Sequence, residues 1–133
     1  MLAFRGLTVR YKMSISKFYI EVRMKNRTEL VKGTLDLMIL RVLELQPLHG
    51  AAIAERIEQV TSGTFAVKAG SLFPALHRLE EKGWIAGEWT ASSEQRRVKS
   101  YELTPAGRKK LNAEKATWLR IVAAMHQLLE SES

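Results

Sequence analysis

The chain has 133 residues, room for one compact domain with a helical appendage, and its balance of 46% hydrophobic and 26% charged residues is that of a globular protein. It has no cysteine, which excludes disulfides, thiolate zinc sites, iron–sulfur clusters and cysteine nucleophiles, and no apolar run long enough to cross a membrane. Twenty-one Lys and Arg against 14 Asp and Glu give a net charge of +7, which favours polyanionic partners: nucleic acid or an anionic membrane surface.

The excess is uneven. Arg5, Arg10, Lys12, Lys17 and Arg23 face only Glu21 in the first 23 residues. Residues 1–27 read as a poorly ordered N-terminal extension with no sustained period. Two readings are open for it: a basic arm that reaches DNA, or sequence upstream of a functional start at Met24. The second is preferred. A cleavable signal is not expected, because the cations interrupt any apolar stretch.

From Thr34 the pattern sharpens. Thr34 suits an N-cap, Asp36 suits the first turn, and Leu35, Met38, Ile39, Val42 and Leu43 share a helical face. Leu37, Leu40 and Leu45 fall elsewhere around the same helix, which therefore needs burial on more than one side. Pro47 and Gly50 mark a break, and residues 51–60 form a second helix with Ile53, Ile57 and Val60 on one face, closed by Gly63. A third helix runs roughly from Gly70 to Lys82 with a Leu72, Leu76, Leu79 stripe; Pro74 is tolerated if the helix begins near Ser71, and Gly83 stops it.

The period then changes from 3.6 to 2. Ile85, Gly87 and Trp89 alternate with polar or small residues, a polar stretch follows over 90–95, and Tyr101 and Leu103 share a face in the run 96–103: a β-hairpin. Thr104 and Pro105 are an N-cap and first helical residue, opening a helix to about Leu129. Its Leu111, Trp118, Val122, Met125 and Leu129 form a coiled-coil-like seam.

Three short helices, a hairpin and a long helix are the layout of a winged helix-turn-helix: mainly α, with a two-stranded wing. The expected domain spans 28–104 and a C-terminal dimerisation helix spans 105–133. In that layout the third helix enters the major groove and the wing lies along the backbone or minor groove. Arg96, Arg97 and Lys99 on the wing suit phosphate contact, with Glu94 the nearby acid; the same charges suit a solvated strand edge. Ser71, Phe73, Pro74, His77 and Arg78 lie off the leucine stripe and carry groups that read base edges or phosphates. By pattern alone Phe73 fits a cap on the core better.

The stretch Gly70-Ser-Leu-Phe-Pro-Ala-Leu-His-Arg-Leu-Glu-Glu-Lys-Gly83 resembles the recognition-helix signature of PadR-like transcriptional regulators. So do Lys32-Gly-Thr-Leu-Asp36, Leu48-His-Gly50 and Tyr101-Glu-Leu-Thr-Pro-Ala-Gly107, and the similarity runs over about residues 28–110. The short C-terminal region is similar to that of the small subfamily with one dimerising helix. The resemblance implies a cytoplasmic, homodimeric DNA-binding repressor, often released by a small ligand. It makes Ser71, Phe73, Pro74, His77 and Arg78 groove contacts, Arg96, Arg97 and Lys99 wing contacts, and Lys68 and His49 phosphate contacts. The family usually has Tyr where this chain has Phe73, so a hydroxyl contact to DNA is lost.

An 80-residue winged helix cannot bury the C-terminal seam alone, so a two-fold dimer through Leu37, Leu40, Leu111, Trp118, Val122, Met125 and Leu129 is expected rather than a helix folded back on itself. Such a dimer predicts a near-palindromic operator. Some relatives of the resembled family hold flat aromatic effectors between these helices, which for this chain implies Trp118 and Met125; a plain packed dimer core is the favoured role for that Trp. No cofactor, metal or catalytic role is expected. His49, His77 and His126 are isolated, Glu80 and Glu81 point to different sides of a helix, and Ser71 and His77 cannot meet. Two other classes stay open: a winged helix docking acidic proteins, and a membrane-surface protein using the basic segment 1–23, without stable insertion.

Overall fold

Among the described residues helix α1 (Arg27–Leu45) comes first, followed by strand β1 (Leu48–His49), helices α2 (Gly50–Val60) and α3 (Ala69–Glu81), strands β2 (Ile85–Ala91) and β3 (Arg97–Leu103), and helix α4 (Pro105–Glu130). The structure, a computed structural model, describes residues 27–91 and 96–132, with side chains from Gly33 onward. The expectations for residues 1–26 and for Glu94 in the hairpin loop lie outside the described residues. Two compact units divide the chain after Thr34; of the first, the described part is the opening turns of α1, and the other helices, the sheet and the core belong to the second.

Helix α1 starts seven residues before the expected N-cap. Thr34 therefore sits inside the helix, and Gly33 is carried at the roughly 1 kcal/mol that an interior glycine costs relative to alanine. The core is built from Leu35, Ile39, Leu40, Val42 and Leu43 of α1, Ile53 and Ile57 of α2, Leu72, Ala75, Leu76 and Leu79 of α3, and Ile85, Tyr101 and Leu111. Two expected dimer residues are thus corrected. Leu40 and Leu111 are each 1% exposed and are consumed by the chain's own core. Burying a leucine fully stabilises by about 1.5–3 kcal/mol, which is why the core claims them.

The sheet has three strands rather than two, in the order β1-β3-β2, all antiparallel. Leu48 pairs with Tyr101 and His49 with Ser100, so the segment before α2 braces the root of the wing. In the hairpin Ile85 faces Leu103, Gly87 faces Tyr101, Trp89 faces Lys99 and Ala91 faces Arg97.

The joint between wing and α4 is tightly specified. The Thr104 hydroxyl accepts from the Gly107 amide at 3.0 Å and donates to the Gly83 carbonyl at 2.6 Å, while the Thr104 amide donates to the Trp84 carbonyl at 3.1 Å. A Cβ on Gly107 would lie 1.9 Å from that Trp84 oxygen, so no larger residue fits. Gly63 and Gly83 take positive φ (79° and 74°), as turns after α2 and α3 require. Trp84 is flanked by the ammonium groups of Lys82 and Lys110, 5.1 and 4.8 Å from the ring centre.

Beyond Leu111 no residue of α4 is buried. Trp118, Leu119, Ile121, Val122, Met125, Leu128 and Leu129 are all exposed, Trp118 at 44%. The helix does not fold back along its length.

Candidate nucleic-acid interface

Helix α3 turns Leu72, Ala75, Leu76 and Leu79 into the core, which leaves the opposite side outward. Lys68, Phe73, Pro74 and His77 are exposed and Ser71 is half-buried. The helix begins at Ala69, one residue before the expected start at Gly70 and two before Ser71, with the Leu72 amide donating to the Lys68 carbonyl at 2.9 Å. Pro74 consequently sits in the second turn and offers no amide to the carbonyl of Gly70; both residues are exposed, so water can serve that carbonyl. No carboxylate lies in the first turn, leaving the positive end of the helix dipole unopposed there.

Phe73 does two jobs at once. Its ring is half exposed, yet its edge lies over Gly50, where an added Cβ would come within 2.9 Å of the ring. Gly50 therefore makes room for the aromatic at the start of α2. His49 is exposed at the end of β1, just before α2. His77 pairs with Glu81 one turn on, at 3.0 Å.

Two expected contacts are held inside the fold. Arg78 Nη2 donates to Asp36 Oδ1 at 2.5 Å, both side chains about three-quarters buried, which ties α3 to α1 rather than presenting a fork outward. Lys99 Nζ donates to Glu80 Oε1 at 2.7 Å. That bond holds the Glu80 carboxyl below the usual carboxylate range and raises the Lys99 ammonium above its ordinary value. Burial raises the Tyr101 phenol beside them.

The exposed wing cations are Arg96 and Arg97. Arg97 lies over the Trp89 ring at 5.2 Å, with Lys99 at 5.8 Å, and Trp89 itself is 57% exposed. Trp89 and Glu80 were missed as site residues. The alternation that placed Ile85 inward also aligns Gly87 and Trp89 on that face, and this was the available signal; the partners of Glu80 are non-local and left none.

Away from α3 and the wing, an open apolar groove of about 260 Å³ is lined by Leu37, Met38, Val42, Ile57, Val60 and Leu111 among others. Leu37 is half-buried there. Among the described residues, no group of three or more His, Asp or Glu side chains is placed to hold a metal ion, and no helix is long and apolar enough to cross a membrane.

The model of the PadR-like transcriptional regulator family matches residues 39–113. A PadR family transcription regulator from Clostridium difficile R20291 is 33% identical, with 71% of this chain and 96% of that one aligned at a TM-score of 0.61. A PadR-like regulator from Bacillus cereus ATCC 14579 is 28% identical over 79% of this chain and 100% of its own, with a TM-score of 0.67. A transcriptional regulator from Clostridium thermocellum shares the fold at a TM-score of 0.71, with 23% identity over 77% of this chain and all of that one. The family match spans more than half of the sequence, and the chain belongs to the PadR-like transcriptional regulators, a family of regulators and not of enzymes.

Proposed function

We propose that the protein is a homodimeric, sequence-specific DNA-binding repressor. In this reading Ser71, Phe73, Pro74 and His77 meet base edges in the major groove, while Lys68, His49, Arg96 and Arg97 neutralise phosphates. The observation that carries it is the open outward side of α3 standing beside a wing whose exposed side chains include Arg96 and Arg97. Phe73 offers an apolar surface for a thymine methyl, without a hydroxyl.

The dimer half of the proposal rests on α4. A stripe from Trp118 to Leu129 is too large and too apolar to stay in water, and the groove bordered by Leu37, Met38 and Val42 is apolar as well. A two-fold partner that covers Trp118, Val122, Met125 and Leu129 removes this exposure and sets two α3 helices for successive turns of a near-palindromic operator. A protein so seated excludes other proteins from the same DNA, hence a repressor. Release by a small aromatic effector belongs to the same reading: Trp118 offers a stacking face and Met125 an adaptable neighbour.

Selection of duplexes from a random pool by the full chain tests the DNA assignment. Enrichment of a two-fold-symmetric sequence is expected; a pool that stays random contradicts it. Light scattering coupled to gel filtration tests the dimer, with a stable monomer at micromolar concentration as the contradicting result. Docking to acidic proteins instead of DNA would leave the pool unselected.

A further inference from the structure

One carboxylate on α3 is bonded to both strands of the wing. Glu80 Oε1 accepts from Lys99 Nζ on β3 at 2.7 Å, and Glu80 Oε2 accepts from the Gly87 amide on β2 at 3.1 Å. The space around it is fully used. A Cβ on Gly87 would lie 2.4 Å from Lys99 Cε, 2.8 Å from Glu80 Oε2 and 3.2 Å from the Tyr101 ring. Lys99 also lies over Tyr101 at 5.5 Å and over Trp89 at 5.8 Å. Both Glu80 and Lys99 side chains are nearly three-quarters buried.

We infer that Glu80 is a positioning residue: with Lys99 and Gly87 it clamps the wing to α3 and sets the angle at which Arg96 and Arg97 approach DNA. The inference rests on the proposed DNA-binding reading and revises one part of it, since Lys99 then serves the clamp and not a phosphate. The physical reasons are two. Strand β1 braces β3 at Tyr101 and Ser100, but beyond that point the wing is a two-stranded ribbon, marginally stable by itself, so its orientation depends on what anchors its base. An ammonium already neutralised by a carboxylate has no net charge to exchange for counterions on the duplex. Fixing the wing before binding removes an ordering cost from the complex and shows as affinity without any new contact.

The sign of the Glu80→Ala effect separates the clamp from its rival. If Lys99 is a phosphate ligand restrained by Glu80, releasing it tightens binding and steepens the dependence of log K on log salt by about one unit. If Glu80 is a clamp, binding weakens about tenfold with an unchanged slope, as a pre-organisation loss of roughly 1.4 kcal/mol requires. Lys99→Ala gives the same weakening with the same slope. The decisive readout is non-additivity: in an Arg96→Ala, Arg97→Ala background, Glu80→Ala changes affinity less than about twofold, because the wing no longer carries what the clamp positions. A general loss of folding would instead cost the same in both backgrounds and overturns the inference, as does tighter binding or a slope changed by one unit. Thermal melting accompanies each variant; if Glu80→Ala is unfolded at assay temperature, Glu80→Gln takes its place under the same criteria. The probe is the duplex selected by the wild-type chain. Failure of the wild type to prefer any duplex refutes the DNA reading itself, whereas a wild type that selects DNA alongside an additive Glu80 variant refutes the clamp alone.

Discussion

Arg78 and Asp36, 42 positions apart, meet at 2.5 Å and join helix α3 to α1. The pair makes Arg78 a strut. Removing it leaves Asp36 partly buried without that donor, at a cost of about 1 kcal/mol for a partly exposed charged hydrogen bond. Arg78→Ala is therefore expected to lower Tm by roughly 4–8 °C, the shift that 1 kcal/mol produces in a domain of this size. Its DNA affinity should fall equally on cognate and altered sites, measured by competition gel shift. A change of preferred base at one operator position would instead show that Arg78 reaches a base edge.

Arg96 and Arg97 stand on the exposed wing. Replacing both with Ala is expected to weaken binding to all duplexes and flatten the log K against log salt slope by about two units, one per phosphate released. Titrations between 50 and 300 mM salt check this. An unchanged slope removes both from phosphate contact.

Trp118 lies near the middle of α4 and is 44% exposed. Trp118→Ala removes the largest apolar side chain of the stripe, and the dimer should loosen by about 3 kcal/mol, a more than 100-fold rise in its dissociation constant. Sedimentation equilibrium measures it. In the proposed dimer both halves hold the operator, so affinity for the full site should fall with it while a half-site is bound as before. An unaltered dissociation constant places the interface elsewhere.

The Glu80–Lys99 pair sets a pH window. A carboxylate whose folded pKa is lowered stabilises the fold above its unfolded value and loses that contribution as pH falls through the lower folded one. A lysine whose pKa is raised contributes below its unfolded value near 10.4 and loses the contribution as pH rises through the folded one. Both groups stay charged in between. The Tm difference between wild type and Glu80→Ala should therefore be present at neutral pH and shrink as pH falls below the ordinary carboxylate value. A difference that does not shrink in acid would falsify the assignment.

What the sequence made legible follows from how local each signal is. The Leu72, Leu76, Leu79 stripe and the Thr104-Pro105 start depend on neighbours within two turns, and both stand as expected. The period-2 run from Ile85 gave the wing for the same reason. Strand β1 is two residues long, too short to carry a period, and its bonding partner lies some 50 positions away. Leu40 and Leu111 were assigned to a partner because a helical wheel cannot say which of several apolar sides its own core takes. Arg78 and Lys99 looked like free cations because their carboxylates, Asp36 and Glu80, are remote in sequence. Charge is visible in a sequence, but its neutralisation by a distant partner is not.

In the proposed function α3 and the wing, doubled by a two-fold axis, read duplex DNA. Footprinting of the full chain on the DNA upstream of its own gene, with excess scrambled duplex present, tests it most directly. Two protected half-sites are expected in a near-palindrome, about 10 base pairs or a multiple of that apart. Protection no stronger there than on the scrambled duplex contradicts it.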